Sequence, residues 1–406
     1  MPSMPAALTS ARAFLDFGFV FNVIVTGITS FLTDMATEMV YPLIPLYLSA
    51  LGAPPAVLGL IEGFAESTAS ILKVFSGRLS DKLRRRKPLA IIGYSGSMFG
   101  RLILYVSNGW WLVFAGRMVD RIGKGVRVAP RDALIADCTP QGRRGMAFGL
   151  HRAMDSLGAA AGVIAAIFLV EAAGRGMARA DYQRIFLFSL IPAALGVAAL
   201  FLIREPRCGH AVRQQLRLSF RGLPRRLRWF LLVVTLFALG NSSNQFLLLR
   251  AKNLGLSVAA VLGAYLVYNV VYGLLSWPAG HLSDRIGRKP LLIASYVVYG
   301  LVYFGFAAAP QSVVRHPSLV TIFGLFALYG VFSALNDGQE KALVADIAPP
   351  DQRGTFVGLH STLTGIGLLP ASLLAGGLWS LFGASAPFWF GGALGLLAAV
   401  GLAMVL

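Results

Sequence analysis

Two short stretches decide the fold of this 406-residue chain: GRLSDKLRRR at positions 77–86 and GHLSDRIGRK at positions 280–289. The second begins 203 positions after the first. A longer pair follows, because ALIADCTPQGRRGMAFGLH at 133–151 aligns with ALVADIAPPDQRGTFVGLH at 342–360, with ten of nineteen positions identical. Two echoes in the same order indicate that the chain consists of two homologous halves.

The segments around these stretches are long and apolar. Hydrophobic residues make up 56% of the chain and charged residues only 13%, whereas soluble proteins carry roughly 25% charged residues. About 20 helical residues cross a bilayer core, and a helix pairs its own backbone polar groups. We therefore predict an all-α, polytopic membrane protein with twelve transmembrane helices, at about 18–50, 55–76, 88–107, 110–137, 146–172, 185–203, 229–250, 256–279, 290–309, 318–347, 358–383 and 386–406.

The formal net charge of +18 would by itself also suit a nucleic-acid-binding protein. The Lys and Arg residues, however, cluster in the connections after every second segment, which is typical of cytoplasmic loops. We therefore expect the lipid bilayer, and no nucleic acid, as the partner of this surface. The same pattern predicts a multi-pass protein of a bacterial inner membrane, with both termini cytoplasmic, and we expect a monomer.

The longest basic stretch, 204–228, divides six segments from six. We predict an N-terminal six-helix bundle at 1–203, a basic cytoplasmic linker at 204–228 and a C-terminal six-helix bundle at 229–406. Parallel repeats of six spans are a transporter architecture, in which the substrate site lies near mid-membrane at the interface between the repeats.

Several of these residues resemble motifs of the major facilitator superfamily. The stretches at 77–86 and 280–289 resemble its loop signature, and Arg121-Ile-Gly-Lys-Gly125 is similar to its Arg-x-x-x-Gly motif. Asp34, followed by Pro42-Leu-Ile-Pro45, is similar to the first-helix motif of its twelve-span drug:proton antiporters. The resemblance covers the whole chain. It implies two pseudo-symmetric six-helix bundles and a secondary transporter that moves a small solute.

One motif of that antiporter type is incomplete. Its fifth helix usually carries Gly-x-x-x-Gly-Pro-x-x-Gly-Gly, whereas here Gly158 and Gly162 are followed by Val163 and by Ala165-Ala166. The direction of transport is therefore open. We expect proton-coupled efflux of a drug or metabolite. The alternative is proton-coupled uptake of a small nutrient, metabolite or metal complex, and a non-transporting membrane sensor is the alternative from another class.

The sequence does not indicate an enzyme. Gly123-Lys124-Gly125 lacks the Ser or Thr that follows the lysine of a phosphate-binding loop, and it lies within an apolar segment. The five His and two Cys residues show no metal-ligand spacing. We expect no cofactor and no metal, with a proton gradient as the energy source.

Charged side chains inside the segments need a reason, because one at the bilayer centre costs about 2.5–3.5 kcal/mol. Asp34 and Glu38 lie one helical turn apart in segment 1, and Glu62 and Glu66 share a face of segment 2. These acids could simply neutralise the bases of segment 4. Alternatively, at least one takes up and releases a proton during transport, because a low dielectric favours a neutral acid.

The resemblance makes Asp34 the leading candidate for proton coupling, with Glu38, Glu62 and Glu66 behind it. Arg121 holds the position of the superfamily motif, and we expect it to order the cavity or to tune the proton site. This interpretation assigns ion coupling to the first half of the chain.

In the second half, the positions that correspond to the acids of the first half carry mostly amide and aromatic side chains. The run Asn-Ser-Ser-Asn-Gln at 241–245 is uncommonly polar for a span, and Asp337 with Lys341, four residues apart, could form a buried pair. We therefore expect much of the solute contact in the second half. The substrate-binding candidates are Tyr41, Lys124, Asn241, Asn244, Gln245, Tyr265, Asn269, Asp337 and Glu340.

The repeated loops predict a conformational switch. A carboxylate at the end of a span can meet a helix N-terminus of the opposite half or a nearby arginine, and a glycine permits close backbone approach. Making and breaking such contacts would bias the protein between inward- and outward-open states. The candidates for this switch are Gly77, Asp81, Arg85, Arg86, Gly280, Asp284 and Arg288.

Overall fold

The computed structural model describes residues 6–83, 85–140, 143–174, 176–203, 205, 225–309, 319–348 and 353–405. Within these ranges every regular element is helical. The α-helices are α1 Ala6–Val40, α2 Ile44–Ala50, α3 Pro55–Leu83, α4 Lys87–Tyr105, α5 Trp110–Cys138, α6 Arg144–Ala173, α7 Arg179–Leu202, α8 Arg225–Gly240, α9 Gln245–Asn253, α10 Val258–Ile286, α11 Arg288–Ala308, α12 Leu319–Asn336, α13 Gln339–Ile347, α14 Arg353–Phe382 and α15 Ala386–Val405.

These helices form twelve spans, because three spans are broken. Span 1 consists of α1 and α2 joined by a 3₁₀ turn at Tyr41–Leu43, span 7 of α8 and α9, and span 10 of α12 and α13. Nine spans in the described ranges are apolar enough to cross a membrane by composition alone. The other three are spans 2, 3 and 4 (α3, α4 and α5), which carry charged residues. The prediction of an all-α, twelve-span membrane protein is confirmed.

The three breaks have local causes. In span 1, Pro42 and Pro45 remove backbone donors, and a short 3₁₀ turn results. In span 7 the polar residues 241–243 leave the helix, and in span 10 Gly338 adopts a φ of +86°, which a glycine tolerates best. The last break corrects the expected Asp337–Lys341 pair, because the two residues do not share one continuous helix and make no ion pair.

The two halves repeat each other's packing. In the first half α1 packs against α6 and α7, and in the second half α8 packs in the same way against α14 and α15. The pairs α4–α5 and α3–α5 recur as α11–α12 and α10–α12. Spans 3, 6, 9 and 12 pack mainly within their own halves. The prediction of two pseudo-symmetric six-helix bundles is confirmed.

Span 5 packs closely against span 1 through small residues. The glycines Gly158 and Gly162 lie against the backbone of Phe31 and Met35, where a Cβ atom would not fit. Such small-residue contacts let membrane helices approach closely. The Gly-x-x-x-Gly part of the antiporter motif therefore performs its packing role here without the proline that usually follows.

The halves meet most closely at the end of the bundle opposite the stretches 77–86 and 280–289. We call that closed side the far end, and the side of the two stretches the basic end. At the far end α3 packs along α14, and the Ala56 N–H donates to the Ser380 Oγ at 3.1 Å. A Cβ on Gly376 would lie 2.9 Å from the Ala56 Cα. Span 5 also packs against span 8, and beside this contact, where Arg152 donates to the Tyr272 hydroxyl at 3.2 Å, a cavity opens at the basic end.

Most of the predicted linker lies outside the described residues, which resume at Arg225 after residue 205. The linker at 204–228 and the domain boundaries on either side of it therefore stay predictions.

The adjacent glycines Gly376 and Gly377 offer a matched test of far-end packing. Gly376→Val places a side chain against the backbone of Pro55 and Ala56, and we expect a loss of about 1–3 kcal/mol of stability from overpacking. Nothing lies within 4 Å of a Cβ on Gly377, so Gly377→Val should change stability by less than about 0.5 kcal/mol. Thermal unfolding of the purified proteins in detergent measures both, and equal melting temperatures would contradict this packing.

Candidate transport site

A narrow cavity of about 310 Å³ lies between the two halves. Spans 1, 2 and 4 form one wall, and spans 7, 8 and 11 form the other. The irregular backbone of spans 1 and 7 borders it, in agreement with the rule that non-helical backbone in a membrane protein lines a cavity. Eight sequence candidates meet here: Glu38, Tyr41, Glu66, Arg121, Lys124, Asn241, Asn244 and Tyr265.

A buried ion-pair network supports the first-half wall of this cavity. The Arg117 guanidinium donates to both carboxylate oxygens of Glu62, at 2.9 and 3.0 Å, and these side chains are 2% and 0% exposed. Arg121 donates to Glu66 at 3.0 Å and to Asp120 at 2.9 Å. For Glu62 and Glu66 the structure therefore supports the interpretation that the acids of span 2 neutralise bases of span 4.

Two members of the network, Arg117 and Asp120, had no assigned role in the sequence-based prediction. Arg117 could have been interfacial, yet it is buried and also lies over the ring of Tyr41, 5.4 Å from its centroid. Asp120 bonds both arginines. The signal was present, because positions 117, 120 and 121 fall close together on one helical face.

Two other acids, Asp34 and Glu38, belong to a different class. Neither forms an ion pair within the described ranges. Glu38 accepts a hydrogen bond from the Tyr265 hydroxyl at 3.0 Å, and Tyr265 belongs to span 8 of the other half. Asp34 is half-buried and interacts through its charge with Asp155 and with the bases Arg127, Arg131 and Lys124, none of which pairs with it directly. These carboxylates are therefore free of a fixed counter-ion.

Further polar contacts connect the halves beside the cavity. The Ser243 hydroxyl donates to Glu62 at 3.3 Å, and the Gln245 amide donates to the Tyr41 carbonyl at 3.3 Å. Gln245 is fully buried and does not line the narrow cavity. Asn244 accepts a hydrogen bond from Tyr329 at 2.7 Å. The polar run of span 7 thus serves both the interface between the halves and the cavity wall.

A wider cavity of about 1120 Å³ opens at the basic end, and Asn241 lines both cavities. Asp337 and Glu340 line this wide cavity and not the narrow one. Asp337 accepts a hydrogen bond from Tyr272 at 2.7 Å. Asn269 lines neither cavity and donates to the Tyr265 carbonyl at 3.1 Å.

Glu340 belongs to a buried cluster in the second half. It accepts a hydrogen bond from the Tyr296 hydroxyl at 2.8 Å, and its other oxygen lies 2.9 Å from the His360 Nε2. Sequence reasoning included Glu340 but gave no role to His360, which marks the last position of the longer repeat. A role in substrate binding stays a prediction for every candidate in both cavities.

The repeated loop stretches form equivalent clusters at the basic end. Arg86 donates to Asp81 at 2.6 Å, to Ser80 at 2.7 Å and to Asp137 at 3.2 Å. In the second half Arg288 pairs with Asp346 at 2.6 Å and with Asp284 at 3.3 Å. Each aspartate of a loop thus meets a nearby arginine of its own half.

The other switch candidates make fewer contacts. Arg85 is exposed, and a Cβ on Gly77 would touch only Ala129 of the same half, at 3.4 Å. Around Gly280 nothing lies within 4 Å of a Cβ position. In this conformation the glycines therefore do not provide close approach between the halves, and the switch role of these loops stays a prediction.

Comparison with known proteins agrees with this architecture. A family model described as Major Facilitator Superfamily matches residues 26–267 and 230–406. The chain belongs to the major facilitator superfamily. It is 35% identical over 367 residues to an uncharacterised MFS-type transporter of Methanocaldococcus jannaschii, a match that covers 89% of each chain. The protein is therefore a membrane transporter and not an enzyme.

More distant relatives of this superfamily member have more specific names. The multidrug resistance protein MdtH of Yersinia enterocolitica is 22% identical over 375 residues, covering 90% of this chain and 89% of its own. Among solved structures, the nucleoside transporter NupG superposes with a TM-score of 0.74 at 13% identity, covering 94% of this chain and 98% of its own. That likeness shows the shared fold.

The Glu62–Arg117 pair allows a direct test of the ion-pair network. Glu62→Ala leaves a buried guanidinium with too few partners, and we expect a loss of about 3–5 kcal/mol. Glu62→Met combined with Arg117→Met removes both charges and should recover most of that loss. Melting temperatures of the purified variants report this, with Glu171→Ala, an exposed acid at the end of α6, as the control. A double variant no more stable than Glu62→Ala would contradict the pairing.

Substitutions at the neighbouring residues Arg85 and Arg86 distinguish the effect of losing a loop charge from the effect of losing loop contacts. Arg86→Ala removes three side-chain hydrogen bonds that join the start of span 3 to spans 2 and 4, and we expect it to cost about 1.5–3 kcal/mol, as for hydrogen bonds to charged groups. Arg85→Ala removes the same charge from an exposed position and should cost less than about 0.5 kcal/mol. Denaturant titration of both variants measures the difference, and similar losses would refute it.

Proposed function

We propose that this transporter exports a small solute by alternating access, in exchange for protons, with the narrow cavity as its central binding site. The observation that carries the proposal is the hydrogen bond from Tyr265 to Glu38. It joins the two halves in the wall of the cavity, and its acceptor is an acid without a fixed counter-ion. A carboxylate in that position can exchange a proton and at the same time alter a contact between the halves.

The geometry suggests how protons and solute would compete. The ionised Glu38 carboxylate is a strong acceptor for the Tyr265 hydroxyl, because charge-assisted hydrogen bonds are roughly twice as strong as neutral ones. Protonation weakens that bond and frees the hydroxyl for a solute. Asn241 and Asn244 offer further donors and acceptors in the same wall. Binding of a proton and binding of a solute would thus act on one contact between the halves.

Asp34 lies one turn before Glu38 on span 1, and the charges of the two acids interact. A proton on one acid therefore changes the field at the other. The acids of the ion-pair network are less suited to this role, because Glu62 and Glu66 are held by arginines. We therefore keep Asp34 as the leading coupling residue, with Glu38 as the acid that transmits its protonation to the second half.

One comparison favours export over uptake, and the conformation is compatible with it. The wide cavity opens at the basic end, which faces the cytoplasm if the basic loops follow the usual orientation, so a solute can enter from the cytoplasm in this conformation. A relative at 22% identity is named a multidrug resistance protein. At the far end α3 and α14 close the path, and their separation would complete the exchange.

Transport in everted membrane vesicles tests coupling and direction together. Candidate solutes are first selected because they raise the melting temperature of the purified protein, since a bound solute stabilises by mass action. An acidic vesicle lumen should then drive accumulation of such a solute. Asp34→Asn should abolish the gradient-driven part while the protein inserts normally, and Glu171→Gln, at an exposed position, should behave as wild type.

The opposite results separate the alternatives. Expulsion of the solute from the lumen under the same gradient would indicate uptake in the cell, and binding without flux would indicate a sensor. Full gradient-driven accumulation by Asp34→Asn would exclude this residue from coupling. Glu38→Gln and Tyr265→Phe remove the two sides of one contact, so each should reduce coupled flux, and the combined variant should reduce it no further.

A further inference from the structure

Besides Arg78, which belongs to the stretch 77–86, three basic side chains line the wide cavity without an acidic ion-pair partner in the described residues. Lys73 of span 2, Arg152 of span 5 and Lys341 of span 10 all border the cavity and are exposed to it. None of them forms an ion pair with an acid in the described part of the chain. Arg152 donates one hydrogen bond, to the neutral Tyr272 hydroxyl at 3.2 Å.

The acids around this cavity already have partners. Asp81 is paired with Arg86, and Glu340 is bonded by Tyr296 and His360. Asp337 accepts from Tyr272, and it is the one acid here whose charge is not met by a cationic partner at bonding distance among the described residues.

One further acid, Asp132, lies near enough to Lys73 for their charges to interact. It is held by Arg131, which contacts it at 2.9 Å. Asp155 likewise interacts through its charge with Arg152, and it lies 3.6 Å from the His151 ring without lining the cavity. Among the residues that line the cavity, the four cations Lys73, Arg78, Arg152 and Lys341 thus face one uncompensated carboxylate, that of Asp337.

The basic side chains come from both halves. Lys73 belongs to the first half and Lys341 to the second, and their charges are close enough to interact across the cavity. Like charges repel, so this pair opposes approach of the halves at the basic end. An anion between the two ammonium groups would replace that repulsion with two attractions.

Membrane topology does not account for two of these positions. Bases that follow the positive-inside rule lie in the loops and at the ends of spans, as Arg85 does, and Lys73 lies one turn before the loop stretch that starts at Gly77. Arg152 lies eight residues after the start of α6, and Lys341 lies six before the end of α13. These last two distances correspond to roughly two helical turns inside the spans.

We propose that the wide cavity binds an anionic group of the transported solute, a carboxylate or a phosphate, between Lys73, Lys341 and Arg152. Ammonium and guanidinium donors form short, charge-assisted hydrogen bonds with such oxygens. The bound anion draws the two halves together at the basic end and so promotes the change to the opposite state. This inference rests on the proposed export function and gives its substrate class.

A matched set of small probes tests the charge preference. The full-length protein in phosphatidylcholine nanodiscs is titrated calorimetrically with benzoate, phenyl phosphate, neutral benzamide and cationic benzylammonium, at low salt. The proposal expects binding of the two anions and none of the other two. Lys73→Gln, Lys341→Gln and Arg152→Gln should each weaken anion binding by about tenfold or more, because each removes a charged hydrogen-bond donor. Lys252→Gln, at an exposed position of span 7 on the far end, should leave it unchanged.

Several results would overturn the proposal: no binding of either anion, equal binding of benzylammonium, or unchanged anion affinity in all three variants. A variant with a folding defect is recognised because its melting temperature is lower than that of the wild type even without a probe. For that case Lys341→Arg provides a second test, since it keeps the charge and should keep the binding.

A lipid headgroup could supply the same anionic chemistry. Nanodiscs that contain phosphatidylglycerol distinguish this source. The proposal expects the same affinity for phenyl phosphate in these nanodiscs as in pure phosphatidylcholine. Competition by phosphatidylglycerol would assign the cavity to lipid and overturn the assignment to a soluble solute.

The inference and the proposed function fail in different ways. If anions bind and cross the membrane without a response to the proton gradient, the substrate class holds and proton coupling does not. If gradient-driven flux occurs only for cationic or neutral solutes, coupling holds and the anion site does not. The lysine variants should reduce anion binding in the absence of any gradient, which Asp34→Asn should not do.

Discussion

The buried ion pair between Glu62 and Arg117 is the constraint on which much of the first half depends. A charge within an apolar bundle is unfavourable unless an opposite charge meets it in good geometry. Here the carboxylate of span 2 meets the guanidinium of span 4 through two hydrogen bonds, and both side chains are buried. Ser243 of span 7 contacts the same carboxylate. The pair therefore fixes two helices of one half and places a polar acceptor at the surface that meets the other half.

The acids of the first half fall into two classes according to their bonding partners. An acid held by arginine has a fixed counter-ion in this conformation, as Glu62 and Glu66 have. An acid whose partner is a phenol can gain or lose a proton without leaving a buried cation unpaired, as Glu38 can. The two classes lie within a few turns of each other. Fixed charges thus provide a rigid wall, and the free carboxylates provide the groups that can change.

The sequence predicted the architecture well because it is duplicated. Loop signatures 203 positions apart identify two halves, and the apolar segments between them identify twelve spans. Periodicity alone could not predict the breaks in spans 1, 7 and 10. Two prolines, the polar run at 241–245 and Gly338 mark them, but transmembrane helices also tolerate such residues without a break. The site was predicted only in part. Glu38 and Tyr265 were both candidates, but their contact depends on how two bundles dock, which no spacing within one helix specifies. The network position of Arg117 needed the partner helix in the same way.

The interface between the halves is asymmetric, and the asymmetry follows from residue type. At the far end glycine and alanine let α3 and α14 touch backbone to backbone, as at Gly376, so closure there needs no ligand. At the basic end the surfaces that face each other carry Lys73 and Lys341, whose charges oppose closure. In the conformation described here the protein is open at the basic end. If the wide cavity binds an anion, as proposed, the solute itself neutralises the basic end at the moment it binds and so permits movement to the opposite state.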